Sequence, residues 1–142
     1  MKDPVDHTGF EERYLALRRR EGRLYSNEEV ALLPNIRATH PLKKEWAVRR
    51  KSCQRLVRFL KQKKRPLCIL EVGCGNGWLC HQLSKIPSSS VTGIDVNETE
   101  LDQARRVFPS LRFIHADLNI ATIQEQFDVI VFAASFQYFS LP

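Results

Sequence analysis

The chain has 142 residues, 43% of them hydrophobic and 27% charged, with a net charge of +6 and a sequence pI of about 9.4. These figures describe an ordinary soluble globular unit. No apolar run approaches the ~20 residues that span a bilayer, residues 1–6 lack a secretory apolar stretch, and Cys53, Cys68, Cys74 and Cys80 lack disulfide-scaffold spacing. Reduced thiols in a cytoplasmic protein without a membrane span are therefore expected.

Two regions meet at about Pro66: a basic helical leader (1–65) and an alternating β/α region (66–142). In the leader, residues 10–21 carry Tyr14, Leu15 and Leu17 among charges, and Gly22 stops them. Ser26-Asn27-Glu28-Glu29 is a helix-start signal, and Pro34 ends the short helix that follows. Pro41 at a first-turn position opens a longer helix to about Lys61. Its apolar residues Leu42, Trp46, Cys53, Leu56, Val57 and Leu60 share one face.

Beyond Pro66, residues 67–72 read as a first strand, 78–86 as a crossover helix and 91–95 as a second strand. Asn97 with Glu100 makes a capping-box-like start for a helix through Phe108. Residues 111–115 read as a third strand and 127–133 as a fourth. Near-continuous apolar strands separated by helices imply a parallel sheet covered on both faces, in a doubly wound α/β layout.

The turn after the first strand is Glu71-Val72-Gly73-Cys74-Gly75-Asn76-Gly77. Its glycines permit a sharp turn and close approach of a ligand to the backbone. The dinucleotide fingerprint needs G-x-G-x-x-G, but here the pattern is G-x-G-x-G and Trp78 stands where the third fingerprint glycine would be. A nicotinamide dehydrogenase is disfavoured on that ground. Asp95 ends the second strand, where a carboxylate can accept from both ribose hydroxyls. Asp117 follows the third, where it could accept from an adenine amino group. The end of the fourth strand, from Ala134 to Phe139, would face the crevice beside the first.

These four elements, in this order, resemble the class I S-adenosylmethionine-dependent methyltransferases, especially the type 11 group. The resemblance implies S-adenosylmethionine as cofactor and a sheet beginning in the order 3-2-1-4. It implies a cofactor-binding set of Glu71, Gly73, Cys74, Gly75, Asn76 and Gly77 in the loop, Asp95 at the ribose, Asp117 at the adenine, and Val96, Leu118 and Ala134 beside them. His7-Thr8-Gly9-Phe10 and Arg23-Leu24-Tyr25-Ser26 also look like a leader found before some type 11 domains. Methyl transfer by in-line attack on the sulfonium-bound methyl group is implied, with a small-molecule acceptor of unknown identity. The motif requires no general base, and no catalytic residue is named. The family sheet has seven strands and this sequence stops just after the fourth. A shortened product is expected, with strand four an exposed edge prone to aggregation or homodimerisation.

Blander readings stand beside these. Asp95 and Asp117 could each be a cap or loop acid, though three successive strand ends make coincidence a poor account of them jointly. Cys74, Cys80 and His81 lack the partners of a four-ligand metal set, so no metal is expected. Cys74 is read as a small loop filler and His81 as a helix-surface residue. The basic run Arg49, Arg50, Lys51, Arg55, Arg58, Lys61, Lys63, Lys64 and Arg65 is read first as a solvated face. Nucleic acid is a less favoured partner there, because aromatic interleaving for base stacking is absent. The alternative to an enzyme is a non-catalytic basic module, nucleic-acid-binding or scaffolding, with an empty glycine loop.

Overall fold

The computed structural model describes residues 7–133, in which three helices precede an alternating β/α run. Helix α1 (His7–Arg20) ends before Gly22, whose φ of 67° is the left-handed conformation that closes many helices. Helix α2 (Asn27–Leu32) opens with a complete capping box. Ser26 Oγ accepts from the Glu29 N–H at 3.1 Å, and the Glu29 carboxylate accepts from the Ser26 N–H at 2.9 Å. Helix α3 (Lys43–Lys61) begins at Lys43 rather than with Pro41 in its first turn. His40 accounts for the shift: its Nδ1 accepts the Leu42 N–H at 3.1 Å and holds residues 41 and 42 in a turn.

The sheet comprises β1 (Cys68–Val72), β2 (Ser90–Asp95), β3 (Arg112–His115) and β4 (Val129–Val131), with α4 (Trp78–Ser84) and α5 (Glu98–Val107) between the first three. Every pairing is parallel and the order is β3-β2-β1-β4, as the family resemblance implies. Helix α4 ends short of Ile86 because its last turn tightens: Lys85 and Ile86 donate to the carbonyls of Gln82 and Leu83, three residues back. Strand β4 is shorter than the apolar run 127–133. At its entry the Asp128 carboxylate, not a backbone carbonyl, accepts the Cys68 N–H at 2.7 Å, with Arg65 Nη1 on its other oxygen at 3.0 Å. Beyond Val131 the pairing stops, and Phe132 is partly exposed.

The leader shares one core with the sheet. Val30, Leu33, Trp46, Cys53 and Leu60 pack in the same buried cluster as Ile69, Leu79, Leu83, Leu101 and Phe113. Complete burial of one such aliphatic side chain contributes about 1.5–3 kcal/mol. The polar groups inside this cluster are matched: Trp46 Nε1 donates to Tyr25 Oη at 2.9 Å, and Gln103 Nε2 on α5 donates to the Tyr25 carbonyl at 2.7 Å. On the other face of the sheet Leu70, Val72 and Ile94 form a second cluster, covered by Ile114, Leu118, Ile123 and Phe127.

Candidate functional site

The carboxyl ends of β1, β2 and β3 lie side by side, because the parallel register pairs Val72 with Ile94 and Asp95 with His115. The segment after β1 turns back onto the end of β2 at once: the N–H groups of Gly73 and Cys74 both donate to the Ile94 carbonyl, at 2.8 and 3.1 Å. Gly73, Gly75 and Gly77 have φ of 75°, 51° and 81°, a left-handed region costly for side-chain-bearing residues. At Gly77 space is also closed, since a Cβ would lie 2.7 Å from the Phe113 ring. Asn76 is buried and its Oδ1 accepts the Trp78 N–H at 3.2 Å, which starts α4.

Asp95 is the centre of the site. Its Oδ2 accepts the Gly75 N–H at 2.7 Å and its Oδ1 the Asn97 N–H at 2.9 Å. The carboxylate is thereby fixed between the glycine loop and the start of α5, with lone pairs left over on both oxygens. Burial pushes its pKa up, against the lowering effect of the backbone N–H groups of Asn97, Gly75 and Val96 and of the more distant Arg18 charge. A ligand presenting two hydroxyl donors would compensate that desolvation, so the chemistry of this carboxylate fits a ribose diol. Val96, next in sequence, is partly exposed, and its carbonyl contacts His115 Nε2 at 2.9 Å.

Asp117 sits just beyond β3, and the preceding Ala116 N–H donates to the Asp95 carbonyl at 3.1 Å. Its Oδ1 accepts from the Asn119 backbone and side-chain N–H groups at 2.9 and 2.8 Å, so this acid also shapes its own turn. Leu118 packs beneath, on the second cluster. Glu71 turns inward: it is buried, accepts from the Cys80 thiol at 2.9 Å, and burial drives its pKa to about 8. Cys80 in turn is held well above its ordinary value by its hydrogen bond with Cys74, by burial and by Glu71. Cys74 fills the loop, as its size implied, and its Sγ and that of Cys80 lie 2.8 and 2.9 Å from where a Cβ on Gly93 would stand. Gly93 on β2 therefore allows the close helix–strand approach that Trp78 appeared to forbid. Ala134, which the sequence reading put at the end of the fourth strand, lies outside the described residues.

Two contributors lacked a local signal in the sequence. Arg18 on α1 reaches the buried Glu100 carboxylate at 3.6 Å, and Glu11 accepts from the Thr99 N–H and Oγ1 at 3.1 and 2.9 Å. Both contacts bring α1 against the first turn of α5, next to Asp95. Asn97, read as a cap, does accept the Glu100 N–H at 3.0 Å, but Glu100 pairs with Arg18 instead of completing the box. His81 is not a plain surface residue. It stacks on Phe108 with ring centroids 4.5 Å apart, and burial lowers its pKa. Among the described residues no group of three or more His, Cys, Asp or Glu side chains could hold a metal ion. Nor is any helix long and apolar enough to cross a membrane.

Comparison with known proteins bears on the family and the fold. Residues 69–142 match a family model described as a methyltransferase domain. A malonyl-[acyl-carrier protein] O-methyltransferase of Halalkalibacterium halodurans is 32% identical over 108 residues, covering 67% of this chain and 40% of the relative. A second protein of that name, from Bacillus cereus, is 33% identical over 97 residues, covering 64% of this chain and 36% of its own. The chain thus spans well under half the length of these curated relatives. Among solved structures, TehB from Haemophilus influenzae has a TM-score of 0.51 at 28% identity, over 58% of this chain and 30% of that one. S-adenosylmethionine-bound CalS10 from Micromonospora echinaspora, an amino pentose methyltransferase, has a TM-score of 0.55 at 18% identity, over 75% and 48%, and shows the fold alone.

Proposed function

This chain belongs to the class I S-adenosylmethionine-dependent methyltransferases, and from that premise we propose that its glycine loop, Asp95 and Asp117 hold S-adenosylmethionine for methyl transfer to a carboxyl group on a carrier-linked small acid. The observation that carries the cofactor reading is the Asp95 carboxylate, fixed by Gly75 and Asn97 at the end of β2 beside three left-handed glycines. Such a crevice outside the carboxyl ends of parallel strands, where the order reverses between β1 and β4, is where doubly wound sheets bind ligands. The acceptor reading follows from the relatives, which are malonyl-[acyl-carrier protein] O-methyltransferases.

In this reading the loop backbone of Gly73 to Gly77 lies along the methionyl portion, Asp95 accepts from the ribose hydroxyls and Asp117 accepts from the adenine amino group, with Val96 and Leu118 as apolar neighbours. The cofactor supplies a methyl group already activated as a sulfonium, so the chemistry asks little of the protein beyond position. The chain's own residues bind, orient and exclude water, which brings the reacting atoms to attack distance and removes much of the entropic barrier. A carboxylate acceptor is already a nucleophile and needs no base.

Calorimetric titration with S-adenosylhomocysteine tests the site. Saturable binding is expected, at least tenfold weaker in Asp95→Ala and not displaced by NAD. Absence of binding by folded protein, or equal binding by the variant, would overturn the cofactor assignment. Acceptor identity is tested by mass spectrometry of malonyl-acyl carrier protein against free malonate, with methylation of the carrier-linked form expected.

A further inference from the structure

The outer face of α3 is basic with two apolar positions set into it, and we propose that it docks an acidic helix of the protein that carries the methyl acceptor. This rests on the carrier-linked reading above. Lys44, Val48, Lys51, Arg55 and Phe59 follow one another at intervals of three and four, so they stand on one side of the helix, and all are exposed. The opposite side already supplies the core through Trp46, Cys53 and Leu60. Val48 at 64% exposure and Phe59 at 54% therefore serve no packing need within the described residues. Lys63 extends the stripe by placing its Nζ 4.5 Å from the Phe59 ring centroid.

Among the described residues the charge on this face is uncompensated. Glu45 is the sole carboxylate in α3, and it lies on the flank, engaged by Arg23 and Arg49. Among the described residues no carboxylate pairs with Lys44, Lys51, Arg55 or Lys63. Like charges at helical spacing repel, and a partner helix with carboxylates at the same intervals would relieve that repulsion. The apolar pair selects between acidic partners. A phosphate backbone would use the cations but has nothing to place on Val48 and Phe59, and base stacking needs a series of aromatic rings. An amphipathic acidic helix meets both demands, with apolar anchors between its carboxylates.

Placement sets the reach such a partner needs. The 19-residue α3 is about 28 Å long. The core side of its first turns lies against the start of α4, since Trp46 meets Trp78, the residue after Gly77, edge-on with centroids 5.1 Å apart. The outer face is thus separated from the start of α4 by the width of α3, about 10–12 Å, a span that a tethered acceptor would have to cross. A contact this small belongs with transient complexes below about 1,200 Å² of buried surface, so fast exchange and strong salt dependence are expected.

The test is fluorescence-anisotropy titration of the full chain with malonyl-loaded acyl carrier protein at low and high salt. Lys51→Glu/Arg55→Glu is expected to weaken carrier binding at least tenfold, while the thermal midpoint and S-adenosylhomocysteine affinity stay at their parental values. Val48→Ser/Phe59→Ser is expected to weaken it several-fold, with the salt dependence preserved. Carrier binding indifferent to both double variants would overturn the proposal. So would S-adenosylhomocysteine binding with no carrier binding, a result that leaves the cofactor site intact. Tighter binding of a generic DNA duplex than of the carrier, abolished by the charge reversal, would make the face a nucleic-acid surface and overturn it too.

Discussion

Helices α1 and α3 both precede the sheet, yet different physics holds each of them. Helix α3 sends Trp46, Cys53 and Leu60 into the shared core, and its indole is hydrogen-bonded to Tyr25 inside it. Helix α1 contributes no fully buried residue among those described, and leaves Phe10 and Leu17 almost half exposed. Its contacts with α5 are polar, through Glu11 to Thr99 and Arg18 to Glu100. Burial is insensitive to salt and cooperative with the whole fold, whereas an exposed polar contact such as Glu11–Thr99 is individually weak; the Arg18–Glu100 pair, with its carboxylate buried, is the firmer of the two anchors of α1. The leader therefore contains one helix that is structurally part of the sheet unit and one attached beside the site by an exposed contact at Glu11 and a pair with a buried carboxylate at Arg18.

The strongest challenge to this contrast is Trp46→Ala. It removes a buried indole and leaves Tyr25 Oη without its donor, so a loss of about 3–5 kcal/mol is expected in urea unfolding. A loss below 1 kcal/mol, in the range of surface substitutions, would put α3 in the same class as α1. Gly77→Ala extends the question to the loop that α3 supports. The left-handed φ and the Phe113 ring together should cost about 1–3 kcal/mol, read as a lowered thermal midpoint.

A third test uses the buried acid of β1. Folded Glu71 keeps its proton to a pH of about 8, while the unfolded chain releases it near 4.5. Its contribution is therefore fully present below 4.5, falls as pH rises through that interval, and levels off above 8. Between pH 6 and 7 the loss approaches about 1.4 kcal/mol per unit as a ceiling. Glu71→Gln is expected to flatten this part of the stability–pH curve, and an unchanged slope would assign it to other groups. The smallest effect is expected at α1. Glu11→Ala should cost about 0.5 kcal/mol or less. It should speed amide exchange in α1 alone, while α3 stays protected.

The existence of the strands and the positions of Asp95 and Asp117 were legible because they depend on short-range features: apolar runs, glycines at fixed offsets, and acids at strand ends; the order of the sheet came only with the family resemblance that those features carry. Helix α2 was legible for the same reason, its capping box being complete within four residues. What stayed hidden depends on partners distant in sequence. The pairing of Arg18 with Glu100 and the stacking of His81 on Phe108 have no local signature. The extent of β4 was overread because an apolar run reports burial, whereas pairing depends on which group answers Cys68, and there it is the Asp128 side chain. Trp78 was read correctly as a departure from the dinucleotide fingerprint. Its structural reason emerged only with Gly93 across the sheet.

The edge-on meeting of Trp46 and Trp78 also has an optical consequence. The chain contains two tryptophans, and these are the two. Indoles this close couple electronically, so the protein carries a built-in chromophore pair with one member fixed to α3 and the other at the mouth of the glycine loop. A small rotation of either ring on ligand capture would alter the emission and the aromatic dichroism together, and both can be recorded on the unlabelled chain.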